Sequence, residues 1–249
     1  LGIEGDIPER AVWMRMLLSE LNRMSSHLLF MATNGMDLGA VSMMIYGWRE
    51  REETLRVLER ITGLRMNHNY IRPGGVAADL PDGWRDDVLR LLDLIPPRLE
   101  EYDTLMTGQP IWRERLQGVG VITTEECLAL GTTGPILRST GYAWDLRKQQ
   151  PYCGYETYDF DVITWDTSDA YGRFRVRLDE MWESLKIVKQ ATDRLEASTG
   201  QPVMIDDPKI AWPATLALGP DGQGNSHEHI AHIMGESMEA LIHHFKLVT

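Results

Sequence analysis

The spacing of apolar residues in the first thirty positions constrains this chain most. Met14, Leu17, Leu21, Met24 and Leu28 recur at three- and four-residue intervals. That spacing gathers them on one face of an α-helix and would scatter them over both faces of a strand. Pro8 suits the first turn of this helix, and Asn34-Gly35 reads as its stop. Asp37 can then cap a second helix through Trp48 and Leu55 to Gly63, a natural residue for a left-handed end. A third helical region covers about 84–107, where Pro96-Pro97 is expected to break or bend it. The helical pattern returns at roughly 168–198 with Phe174, Leu178, Met181, Leu185 and Val188 on one face. It returns again at about 226–246 through Met234, Met238, Leu241 and Phe245. Thr123-Thr124-Glu125-Glu126 reads as a short helix start. GPILRSTGYAWD is turn-rich with room for short strands, and PYCGYETYDFDVI reads as a buried or half-buried extended segment. Residues 199–225 read as a loop. The expected class is therefore mainly α with a few short strands. No βαβ alternation is present, which disfavours a Rossmann domain. No GxGxxG or Walker motif occurs, so NADH and ATP are not expected to bind this chain.

The helical pattern stops at RMNHNYIRPGGVAADLP, residues 65–81, which can be neither a regular helix nor a central strand. Composition limits what such a loop can serve. The 249 residues carry 37 acids against 25 bases, a net charge of −12. A basic stripe for nucleic acid or anionic lipid is absent. Cys127 and Cys153 are too far apart for a Cys-x-x-Cys motif. One chance disulfide between them stays open as the alternative, and a reduced, cytoplasmic setting is expected. No apolar run reaches eighteen residues, so no membrane span is expected. The start at Leu1 rather than Met, and the end just past an apolar helix, lead us to expect an excerpt of a longer polypeptide.

Several residues carry both a bland and a functional reading. His227, His229 and His232 lack a complete metal-ligand pattern and read as a solvated helix start. His27, beside Ser25 and Ser26, reads as a hydrogen-bonded core or interface histidine. Arg49-Glu50-Arg51-Glu52 reads as a solvated helix face. Seven of the thirteen methionines fall at 14, 16, 24, 31, 36, 43 and 44. Core filling accounts for most, and an adaptable wall for a flat apolar ligand is the sharper alternative. Asp37 reads as an N-cap, or as a carboxylate at the rim of a Met-rich pocket, or both.

Five stretches carry a resemblance across nearly the whole chain. They are ELNRMSSHLLFMATNGMDLGA at 20–40, REREE with ITGLRMNHNYIRPGGVAADLP at 49–81, DLRKQQPYCGYETYDFDV at 145–162, RFRVRLDEMWESLKIVKQ at 173–190 and SMEALIHHFK at 237–246. Together they resemble the 49-kDa (D) subunit of proton-pumping NADH:quinone oxidoreductase, respiratory complex I, in an actinobacterial form. That family is homologous to the large subunit of nickel–iron hydrogenases. The resemblance implies a hydrogenase-large-subunit-like domain over 1–249, without the family's N-terminal β region and C-terminal segment. It also implies that the vacated metal site became the head of a quinone cavity. The other wall of that cavity is a small partner subunit bearing the terminal 4Fe-4S cluster, and no metal is held on this chain. Other peripheral-arm and membrane-arm subunits are implied partners, at the cytoplasmic face of the cell membrane. Nucleic acid is not a partner.

By the same resemblance, Asp37 matches the family's quinone-site aspartate. Its histidine and tyrosine partners lie upstream of Leu1. Val41, Met44 and Trp48 line the cavity, with Leu29 and Thr33 near the same wall. The 65–81 loop, with Arg65, Asn67, His68 and Arg72, faces the cluster. Many members have a histidine where this chain has Asn67. Asn can donate a hydrogen bond but cannot take up a proton. That departure is compatible with a low-potential acceptor such as menaquinone. Two alternatives stay open at this point: an active hydrogenase-type subunit, and a purely structural docking subunit.

Overall fold

The structure is a computed structural model and describes residues 4–206. The apolar face expected on the first helix is fully buried, with Met14, Leu17, Leu21, Met24 and Leu28 all at 0% exposure. Helix α1 (Glu9–Asp37) runs between α2 (Ser42–Thr62) and α8 (Ala170–Ala197), which explains burial on more than one side. Helix α3 (Trp84–Thr107) packs against α2 and α8 and completes a four-helix core. Phe174, Leu178, Met181, Leu185 and Val188 of α8 are buried as their spacing predicts. Short helices fill the connection from α3 to α8: α4 (Pro110–Leu116), α5 (Thr124–Ala129), α6 (Gly134–Arg138) and α7 (Leu146–Gln149). Among the described residues the only sheet is a hairpin of β1 (Ile71–Arg72) and β2 (Gly75–Val76) within the polar loop. The chain is thus mainly α.

Helices α1 and α2 approach closely because glycines face the contact. A Cβ on Gly47 would lie 2.8 Å from the Ala32 Cβ and from the Leu28 carbonyl oxygen. One on Gly35 would lie 2.6 Å from the Met43 Cβ. This packing corrects one expectation. Asn34-Gly35 does not end α1, because Gly35 is needed inside the helix to admit Met43. The helix continues to Asp37, so Asp37 is not the cap of α2. Val41 holds that position, without a side-chain cap. Gly63 does end α2 in the left-handed conformation, at φ 80°.

Other expectations divide in the same way. Thr123 starts α5 through a reciprocal capping box with Glu126. Helix α3 runs unbroken through Pro96-Pro97. Its buried face of Leu91, Ile95, Leu99 and Tyr102 offsets the lost backbone donors. The GPILR stretch forms helix α6 rather than a strand. The aromatic segment buries Tyr155, Tyr158 and Phe160 as expected, but around a 3-10 turn at Tyr155–Thr157. The helix expected at 226–246, with His227, His229 and His232, lies outside the described residues.

A buried charged network ties α1 to α8. Glu20 accepts from Tyr155, from Ser184 Oγ at 2.7 Å and from Arg23 Nε at 3.2 Å. Glu180 accepts from His27 Nε2 at 2.9 Å and from Arg138. Asp145 joins the two halves through Arg147 at 2.7 Å and Arg138 at 3.7 Å. Burial pushes the Glu180 carboxyl up, but the His27 hydrogen bond and the Arg138 charge outweigh it and hold the pKa at about 2, from 4.5. Burial pushes His27 below its ordinary 6.5 despite Glu180, so the imidazole is neutral and its N–H donates. Acidification therefore works against the fold twice. Protonating His27 favours the unfolded chain below pH 6.5. The Glu180 contribution, fully present above pH 4.5, is lost as pH falls through about 2. Glu180→Ala leaves Arg138 in the core with only the longer Asp145 contact, leaves His27 without its acceptor, and is expected to cost about 3 kcal/mol. Urea unfolding at pH 7 measures this, and a cost under about 1 kcal/mol would show that the network contributes little.

Candidate functional site

Asp37 is the last residue of α1 and is exposed. A helix C-terminus carries partial negative charge, so a carboxylate there is unfavourable by about 0.3–1 kcal/mol. The position thus breaks a local stability rule, as functional positions do. The turn that follows is rigid. Leu38 N–H donates to the Asn34 carbonyl at 3.0 Å, and Ala40 N–H to the Gly35 carbonyl at 2.7 Å. Gly39 sits at φ 92°, where a Cβ would meet Arg115 Nη1 at 2.6 Å. Arg115 of α4 in turn donates to the Leu38 carbonyl. The carboxylate is therefore presented from a clamped turn.

Beyond the turn, Val41, Met44 and Trp48 form a stripe along α2 at three- and four-residue spacing. Val41 and Trp48 are exposed at 64% and 39%, and Met44 is half-buried. Trp48 Nε1 donates to Met44 Sδ at 3.1 Å, which couples the two side chains. On α1, Leu29 and Thr33 are half-buried and lie on the same side as Asp37 at successive turns. The Thr33 hydroxyl is satisfied within the helix by the Leu29 carbonyl at 2.9 Å. Five of the seven clustered methionines, at 14, 16, 24, 31 and 43, are plain core. Met36 and Met44 belong to the open flank. A cleft of about 380 Å³ lies beside the turn, lined by Leu38, Val41, Met43, Tyr46, Met106 and Trp112. Of the wall residues expected from the sequence, only Val41 lines it. Asp37, Met44 and Trp48 stand on an open surface rather than in this cleft.

The stripe continues into the polar loop. Arg51 lies one turn beyond Trp48, with its guanidinium 4.9 Å from the centre of the indole. Its Nη2 lies 3.3 Å from Met66 Sδ. Arg65 grips Glu52 with two hydrogen bonds, of 2.9 and 2.5 Å. The loop start is thus folded back onto the middle of α2. Asn67 is exposed and left-handed at φ 54°, a conformation that asparagine tolerates better than most residues. His68 is half-buried beside Tyr70, its Nδ1 has no hydrogen-bond partner among the described residues, and burial lowers its pKa. Arg72 lies in the hairpin, where its carbonyl accepts from Arg15 Nη2 at 2.7 Å. Arg15 stands roughly 33 Å along α1 from Asp37 at 1.5 Å per residue. The structure therefore joins Arg65 and Met66 to α2 at the end of the stripe, and sets Arg72 in the hairpin beside Arg15.

The charge run on α2 is not the solvated face expected. Glu50 and Arg51 are buried at 1% and 8% exposure. Glu50 points to α3 and accepts from Tyr102 and from Arg49 Nε at 2.6 Å, while Arg51 points to the loop. Sequence reasoning missed Arg51. Its signal was position: it follows Trp48 by three residues and continues that face.

Comparison with known proteins agrees with the resemblance. The family described as "Respiratory-chain NADH dehydrogenase, 49 Kd subunit" matches residues 37–249. The D subunit of the NADH-quinone oxidoreductase of Nocardioides sp. is 64% identical over 249 residues, covering 100% of this chain and 56% of that protein. The corresponding D subunit of Mycolicibacterium smegmatis is 63% identical, and the second of the D subunits of Streptomyces coelicolor is 62% identical, with the same coverage. The chain spans about half the length of these actinobacterial relatives. It belongs to the family of the 49 kDa subunit of respiratory-chain NADH dehydrogenase.

Proposed function

We propose that this chain forms one wall of the quinone-head cavity of a proton-pumping NADH:quinone oxidoreductase, as part of one hydrogenase-large-subunit-like domain. The other wall is a small partner subunit carrying the terminal 4Fe-4S cluster. One observation carries the proposal: an exposed carboxylate at a helix C-terminus, four residues ahead of the partly exposed Val41–Met44–Trp48 stripe. A flat quinone ring and isoprenoid tail favour apolar, aromatic and methionine walls with few polar groups. Asp37 supplies such a group and can hold or pass a proton at its carboxylate as the quinone is reduced. Electrons arrive from the partner's cluster, and NADH binds elsewhere in the complex. A low-potential acceptor such as menaquinone is compatible with this reading. No described helix is long and apolar enough to cross a membrane. Attachment at the cytoplasmic face of the membrane, through partner subunits, is part of the same proposal.

Photo-crosslinking with an azido-quinone in the assembled enzyme tests this directly. Labelled peptides should contain Met44 or Trp48. Labelling confined to other subunits would leave a docking role only. A second expectation follows from the Trp48–Met44 contact. Met44→Ala or Trp48→Ala should raise the quinone KM and change inhibitor sensitivity by about tenfold, each removing up to about 1–3 kcal/mol of apolar contact. Both side chains are partly exposed, so the loss of stability should be smaller than the loss of binding. Equal loss of assembled enzyme in both variants would assign them to packing instead.

A further inference from the structure

Arg51 is a buried cation with no anion in direct contact among the described residues. It is 8% exposed, yet among the described residues no carboxylate oxygen lies within 4.0 Å of its guanidinium. Its Nε is buried and has no hydrogen-bond partner among the described residues. Among the described residues its guanidinium meets the Met66 sulfur at 3.3 Å and the face of Trp48. The carboxylates nearby in sequence are all committed elsewhere. Glu50 serves Arg49 and Tyr102 on the opposite side of α2. Glu52 is held by both arms of Arg65, and Glu53 pairs with Arg56 at 2.7 Å. Burial and the neighbouring Arg65 charge lower the Arg51 pKa, and the Glu52 charge, which is itself gripped by Arg65, offsets only part of this. An isolated buried charge is costly unless something pairs with it. The rim around Arg51 is open and apolar, with Trp48 at 39%, Leu64 at 53% and Met66 at 52% exposure. His68 Nδ1 on the same loop is a second buried polar atom without a hydrogen-bond partner among the described residues. A preset arginine beside a tryptophan inside an exposed apolar rim has the make-up of an interface hot spot.

We propose that Arg51 is the anchor for a partner subunit, taking a carboxylate of that subunit on its Nε edge while Trp48 and Met66 pack around the pair. The proposal rests on the reading above that a partner subunit covers this face. Charge complementarity selects the carboxylate: the guanidinium offers donors only, and an anion is what its burial lacks.

Zero-length crosslinking of the assembled enzyme tests it. In Arg51→Lys the new amine can condense with a carbodiimide-activated carboxyl in contact with it. An amide forms, and the carbodiimide leaves as its urea. Mass spectrometry should find the peptide containing position 51 joined to an Asp or Glu of another subunit. The Lys186–Glu183 pair, at 2.7 Å, is the internal control for reagent access. A crosslink to a carboxylate of this same subunit, or none while the control reacts, overturns the proposal. Arg51→Met gives the second measurement. It keeps the packing volume and should speed salt-induced release of the partner subunit by about tenfold or more, because losing one member of a buried pair acts on dissociation. Unchanged release overturns the anchor. A positive crosslink together with absent quinone photo-labelling would leave the anchor standing and remove only the cavity-wall reading.

Discussion

Asp37→Asn is expected to leave the complex assembled and to lower NADH:quinone reductase activity by about 100-fold, the usual contribution of a positioned acid or base. Reduction of an artificial acceptor upstream of the quinone, such as ferricyanide, should stay normal in the same preparation. The structure makes this variant informative because Asp37 has little structural work to do. It is exposed, caps no helix, and no described side chain pairs with it. Removing its charge from a helix C-terminus should leave stability unchanged or raise it by up to about 1 kcal/mol. Thermal unfolding and subunit composition check that half of the expectation. Normal quinone reduction in assembled enzyme would sink the catalytic assignment. Loss of both activities together with loss of assembly would show that the turn needs the carboxylate after all.

The long helices were legible because their apolar residues keep helical spacing over many turns, and burial of Met14 to Leu28 and Phe174 to Val188 follows from it. Local stop signals were less reliable wherever a neighbouring helix imposed its own demand. Gly35 looks like a terminator but serves as the space into which Met43 packs. Pro96-Pro97 looks like a break, yet the buried face of α3 spans it. These are tertiary contacts, and no local pattern announces them. The same limit applies at the site. Met44 and Trp48 could be placed on one face by counting, and the resemblance set Asp37 and Val41 beside them. The inward turn of Arg51 could be read in neither way, because it depends on Met66 arriving from fifteen residues away. Polar residues at core spacing were a readable clue to the buried network. Glu20 and His27 lie on the apolar face of α1, and Glu180 and Ser184 on that of α8. Polar groups placed there need partners, and the network supplies them.

Asn67 leads to the second large effect, which rests on the proposed cluster-bearing partner. A group shifts the potential of a redox centre with pH only if its own protonation follows the oxidation state. Reduction adds negative charge to the centre and raises the pKa of a histidine nearby. Between the two pKa values the potential then falls with rising pH, by up to about 59 mV per pH unit for one proton and one electron. Asn67 has no proton to gain. Burial lowers the His68 pKa, which works against proton uptake there near pH 7. The cluster potential of the unmodified enzyme is therefore expected to be nearly flat around neutral pH, and lower than in relatives with histidine at this position. Asn67→His should introduce the slope and raise the potential at the acidic end, where the imidazolium is populated. The substitution is compatible with the backbone, since histidine shares the tolerance for a φ of 54° and the side chain is exposed. Potentiometric titration followed by EPR at several pH values, on both enzymes, measures both slopes. A steep slope already present with Asn67 would overturn the assignment and transfer the coupling to His68. Asn67→His together with His68→Gln would then separate the two positions.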